Sequence, residues 1–119
     1  MSNIFKIKQN DTWPPIYARL EDVNGEINLN NATVRFLMRT EKATELKVDG
    51  TAHILTPVER EAFDTDEPPN VKYSWNPDKS DTDTVGEYLA EWEATYDDGS
   101  VQTFPNVGYN AVVISKELD

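Results

Sequence analysis

The chain of 119 residues contains no cysteine and a single histidine, His53. Without thiols there is no disulfide framework, no cysteine nucleophile and no cysteine-based zinc site. One imidazole leaves little room for a serine triad. No serine sits in a glycine-flanked elbow, so nucleophilic hydrolysis is excluded as a working reading. Apolar runs are short everywhere, none approaching the ~20 residues a membrane-spanning helix needs, and Met1-Ser2-Asn3 does not begin a signal peptide. Positive charge is scarce: 11 basic against 22 acidic side chains give a formal charge of −11. Such a surface repels phosphate backbones and anionic lipids, so neither nucleic acid nor membrane is expected as a partner.

What is present is short alternating segments. In Gly86–Tyr96, Tyr88, Ala90, Trp92, Ala94 and Tyr96 fall on one face of an extended chain, and Glu87, Glu91 and Glu93 on the other. That period of two defines a strand with one buried face. Asp98-Gly99 closes it as a hairpin tip. Gly86-x-Tyr88-x-Ala90 matches a tyrosine corner, in which the phenol bonds upstream backbone near Asp81–Val85; Ala90 stands at the position that often carries a cysteine.

The remaining elements follow in order. Ile4–Gln9 is a strand ending at Asn10-Asp11. Pro14-Pro15 then enforces extended geometry and marks an edge. Ile16, Ala18 and Leu20 alternate in a second strand, ended by the turn Asp22-Val23-Asn24-Gly25, and Val34, Phe36 and Met38 alternate in a third. Asp49-Gly50 reads as a turn, and 52–56 as a strand. At 57–63 a short helical turn is expected, with Thr56 as cap, Pro57 at the first position and Glu59 three after the cap. Val71, Tyr73 and Trp75 alternate in another strand. The last strand comprises 101–104 and 109–114, interrupted by Pro105–Gly108. These features predict an all-β, immunoglobulin-like antiparallel β-sandwich of about seven strands, one domain over 1–119.

Chemistry-bearing clusters are sparse. Asp78, Asp81 and Asp83 share one loop, as do Asp64, Asp66 and Glu67; these are the nearest approach to a calcium site, but the pattern and glycine of an EF-hand are missing. They read as solvated turns, and no cofactor or metal is expected. Most other carboxylates lie in turns or on outward strand faces, where no apolar pocket would raise a pKa, so the chain is read as a non-enzyme. Trp92 and Trp75 align with core positions. Trp13, before the two prolines, is expected to be exposed. Trp13 with Tyr17, and Phe104 with Tyr109, flank backbone that cannot pair regularly, and are read as anchors for protein partners.

Taken in register, five landmarks carry a resemblance: Lys8-Gln9-x-Asp11-Thr12; Pro15-Ile16-x-Ala18-x-Leu20-x-Asp22-x-Asn24-Gly25; Ala32-Thr33-Val34-x-Phe36-x-Met38; Gly86-x-Tyr88-x-Ala90-x-Trp92; and Asp98-Gly99-x-x-x-Thr103-Phe104-Pro105-x-x-Gly108-Tyr109. The pattern resembles the immunoglobulin-like N-terminal domain of tailed-phage baseplate upper proteins and related short phage structural proteins, except over 42–70. The resemblance implies a non-catalytic structural or adaptor protein of the virion (tail, baseplate or neck). It would be assembled in the host cytoplasm and would dock other virion proteins in multiple copies. A carbohydrate-binding module decorating the virion is the alternative it leaves, and an intracellular regulatory domain of the same fold a third.

Overall fold

The computed structural model describes residues 4–104 and 110–118. Its strands are β1 (Ile4–Lys8), β2 (Ile16–Ala18), β3 (Glu21–Asp22), β4 (Gly25–Glu26), β5 (Thr33–Arg39), β6 (Val48–Thr51), β7 (His53–Ile54), β8 (Val71–Tyr73), β9 (Gly86–Thr95), β10 (Val101–Phe104) and β11 (Asn110–Ser115), with one short helix α1 (Pro57–Glu61). The larger sheet has the order β1-β11-β9-β5-β6, with β10 also pairing β9; the smaller has β2-β8-β7. A central β9 between β5 and β11, facing a three-stranded sheet, is the immunoglobulin-like sandwich layout. All pairings are antiparallel except β1 with β11. The strand segments exceed seven because single runs are divided. The chain leaves one sheet for the other at Ala52, so β6 pairs β5 while β7 pairs β8.

Alternation sets what each strand buries. On β9, Tyr88, Ala90, Trp92 and Ala94 point inward, as do Val34, Phe36 and Met38 on β5. Phe36 is the hub of the core. Its ring lies 4.8 Å from Trp92 and 4.9 Å from Tyr73, stacked on the latter, with Trp75 edge-on at 5.8 Å. Because Tyr73 and Trp75 approach from the smaller sheet's side, these contacts tie the two layers. Aromatic pairs of this kind contribute about 0.5–1.5 kcal/mol beyond their buried area.

Two local features form as the residue types dictate. Thr56 caps α1 by accepting from the Glu59 N–H, and Glu59 returns a carboxylate to the Thr56 N–H. Gly99 takes φ +90° at the β9–β10 tip, a conformation that favours glycine.

Asp49-Gly50, expected as a turn, lies inside β6 instead, paired with Leu37 and Phe36. Gly50 is needed for space. A side-chain carbon there would fall 2.5 Å from the Tyr73 ring.

Candidate functional site

The most pronounced exposed feature is the loop from Asn10 to Pro15, which joins the end of β1 to β2. Three hydrogen bonds pin its backbone to the interior. Asn10 N–H donates to Thr82 O at 3.0 Å, the Thr82 hydroxyl donates to Asp11 O at 2.8 Å, and the Trp75 indole donates to Pro14 O at 2.9 Å. Thr82 and Trp75 are themselves buried. The loop is therefore held by the core, yet Trp13 within it leaves 75% of its surface in solvent. An indole held in water on a fixed backbone keeps its apolar area available at small further ordering cost.

Trp13 and Pro14 line an open cleft of about 330 Å³ together with Asp11, Ser115 and the outer strand β1 at Lys6, Ile7 and Lys8. Neither lysine reaches a carboxylate within ion-pair distance among the described residues, unlike Arg19, Arg35, Lys47 and Arg60. In so acidic a chain this is a locally basic, partly apolar recess.

Of the expected anchors that are described, the structure leaves Trp13 and Tyr17 exposed and buries Phe104. Tyr17 is exposed, packs edge-on against Phe63 at 5.1 Å, and does not line the cleft. Phe104 is corrected outright. It is 2% exposed, because it pairs with Trp92 and shares its inward face. Its ring serves the core, so it cannot serve as a surface anchor. Tyr109 lies outside the described residues.

At the corner, the Tyr88 hydroxyl donates to Thr84 O at 2.6 Å, and burial pushes its pKa up. A side-chain carbon on Gly86 would meet the Tyr88 ring at ordinary contact distance, 3.5 Å. The corner therefore does not demand glycine at that position.

The acidic loop divides by role. Asp81, expected in a solvated turn, is buried, and its Oδ2 accepts from the Tyr73 hydroxyl at 2.6 Å and from the Asn76 N–H at 2.9 Å. Asp78 instead turns to Ser80, whose side chain and then N–H hold its carboxyl below the ordinary range, and Asp83 pairs with Lys47, which lowers its own. The three carboxylates thus point to three different tasks. Among the described residues no group of three or more His, Cys, Asp or Glu is placed to hold a metal ion. His53 faces Glu59, whose carboxylate is lowered to about 2, first by the Thr56 N–H and then by the imidazole.

A second recess, about 380 Å³, lies between Asn28–Asn30, Ile54 and Arg60. Arg60 and Arg19 converge there on Glu26, and the hydrogen bond from Arg60 is the main cause of its lowered pKa. Its charged groups are satisfied by one another, which leaves less for a ligand than the Trp13 cleft offers. Lys6 and Lys8 are not among the anchors expected from the sequence. Their signal was present, as two lysines alternating with Phe5 and Ile7 on a strand that ends beside the exposed tryptophan.

The sandwich defines the class as an immunoglobulin-like β protein. No family model and no curated protein matches the chain. Among solved structures it is similar to CopC from Methylosinus trichosporium OB3b, at 11% identity and a TM-score of 0.45, over 99% of this chain and 89% of that one. At that level nothing of CopC's chemistry transfers. The expectation of a tailed-phage virion adaptor, with its sugar-binding alternative, is corrected: nothing in the comparisons indicates a phage structural protein. Among the landmarks behind that resemblance, Tyr88, Ala90, Trp92, Gly99 and Phe104 are accounted for by the sandwich itself.

Proposed function

We propose that the protein is a non-catalytic docking module that engages another protein through the Trp13 loop. The observation that carries this is an indole 75% exposed on a loop whose backbone is tied to buried Thr82 and Trp75. Exposed aromatics on rigid backbone suit the centre of an interface, where a single tryptophan contributes roughly 2 kcal/mol or more. Support for a non-catalytic reading is that the one imidazole, His53, is engaged by Glu59 and, among the described residues, by no hydroxyl nucleophile.

The test is photo-crosslinking from an unnatural residue introduced at position 11, which is exposed and lines the cleft with Trp13, in the native source. It is followed by affinity measurement of the captured protein with wild type and Trp13→Ala. The variant should retain the wild-type circular dichroism and melting temperature and lose affinity at least about tenfold. Equal affinity of the two proteins would remove Trp13 as the anchor.

A further inference from the structure

From the free edge of β1 we infer the chemistry of the partner segment: an extended, acidic peptide that adds to the large sheet as an outer strand, its carboxylates over Lys6 and Lys8 and an apolar residue against Trp13. This inference rests on the docking reading above.

The backbone argument comes first. β1 is the last strand of its sheet, pairing only with β11 among the described residues. In a strand the N–H and C=O of one residue point to the same side, and alternate residues point to opposite sides. Gln9 N–H donates to Ser115 O, so Phe5, Ile7 and Gln9 address β11. Ile4, Lys6 and Lys8 therefore address the open side. Lys8 O is used by the Asp11 N–H of the pinned loop, at 3.1 Å. Lys6 N–H, Lys6 O and Lys8 N–H remain, a donor–acceptor–donor row with no strand opposite. An incoming extended segment can pair with such a row, the mode by which peptides extend exposed sheet edges.

The side chains then select which segment. Lys6 and Lys8 are exposed, on the same face of β1, and free of carboxylate partners among the described residues. Two residues apart on a strand, they match carboxylates at the same spacing on a paired strand, since side chains on one face repeat every second residue. Asp11 also lines the cleft and offsets one of the two charges. The same lysines repel the edge of a second copy of this chain, so the edge is closed to self-pairing while open to an acidic strand. Trp13 and Pro14 line the same cleft as Lys6 and Lys8, and so offer the segment's apolar residue a place beside its carboxylates.

The experiment uses the full chain and a yeast-displayed library of random decapeptides, followed by one enriched peptide in solution. Binders should be enriched in Glu and Asp at alternate positions. Binding should slow hydrogen exchange at the Lys6 and Lys8 amides, and should weaken about fivefold or more between 50 and 500 mM salt, as exposed charge pairs are screened. Lys6→Glu/Lys8→Glu should abolish binding of the acidic peptide, and Lys6→Gln/Lys8→Gln should weaken it by about tenfold, both with unchanged melting temperature. If Trp13→Ala abolishes binding but neither lysine pair matters, or if the enriched peptides lack acid, the docking reading stands and this inference falls. If neither the tryptophan nor the lysines matter, both fall. The inference is equally overturned if no peptide binds, if the exchange protection lies elsewhere than Lys6 and Lys8, or if a single-stranded oligothymidylate displaces the peptide at equal concentration.

Discussion

Replacing Asp81 by alanine is a direct test of how this core is held together. Its Oδ2 is the acceptor for two donors, the Tyr73 hydroxyl and the Asn76 N–H, and the carboxylate is buried. Alanine removes the acceptor and leaves both donors behind. A donor left unpaired inside a protein costs about 1–3 kcal/mol. Asn76 is exposed enough for its N–H to recover part of that from solvent, so the loss is about 3 kcal/mol in all. With an unfolding entropy near 2.1 cal/mol/K per residue, the 119-residue chain has about 0.25 kcal/mol/K, and the melting temperature should fall by about 12 °C. Urea denaturation of wild type, Asp81→Ala, Tyr73→Phe and the double variant completes the cycle. In the double variant Tyr73 no longer presents an orphan hydroxyl, so the summed single losses should exceed the double loss by about 1–2 kcal/mol at unchanged m-value. Asp78→Ala is the control, since Asp78 is exposed, and should change stability by less than about 1 kcal/mol. An Asp81→Ala loss below about 1 kcal/mol, or strict additivity with Tyr73→Phe, would refute the reasoning and return Asp81 to a solvated turn.

Tyr88→Phe removes the donor to Thr84 O and should cost on the order of 1 kcal/mol in chemical denaturation, while an unchanged midpoint would empty the corner of energetic content. Phe104→Ala should cost about 3–5 kcal/mol as a core truncation, against no more than about 0.5 kcal/mol for Trp13→Ala, and comparable losses would show that one of the two burials is wrong. At high pH, burial raises the Tyr73, Tyr88 and Tyr96 phenols above their ordinary value of 10.0, with Asp81 adding to the shift at Tyr73. The folded state then holds protons that the unfolded chain gives up, so the stability these groups contribute is complete below pH 10 and is lost as pH rises toward their folded values. The slope is at most about 1.4 kcal/mol per pH unit for each phenol. Tyrosine absorbance should show Tyr73 ionising only with unfolding, and a smooth titration of all phenols before any loss of circular dichroism would contradict this.

The parts of this fold legible in the sequence are those governed by neighbours along the chain. Alternation placed Tyr88, Ala90 and Trp92 on one face of β9 because side-chain direction in a strand depends only on parity. The Thr56–Glu59 capping box was readable because its two hydrogen bonds span three residues. Contacts made across the sandwich left no such trace. Asp49-Gly50 has the composition of a turn, and only the Tyr73 ring arriving from the other sheet explains glycine inside a strand. Asp81 sits among Asp, Thr and Ser in a stretch that reads as solvated, and its burial depends on the same tyrosine. Phe104 was drawn outward by the prolyl interruption after it, although parity with Trp92 across the hairpin placed it inward.

The same distinction explains why the resemblance conveyed architecture without function. Tyr88 bonds Thr84 O, Ala90 and Trp92 fill the core, Gly99 makes the positive-φ turn, Asp22 caps the Asn24 N–H in the β3–β4 hairpin, and Phe104 packs inward. Each of these landmarks answers a requirement of the sandwich, so any chain solving the same packing problem tends to repeat them whatever it binds. Residues that the fold does not need carry the opposite information. No packing demand places an indole in water at position 13, and none requires lysines rather than threonines on the outer face of β1. An interaction leaves its mark where stability is indifferent, and in this molecule Trp13, Lys6 and Lys8 are brought together by the pinned loop at one open sheet edge.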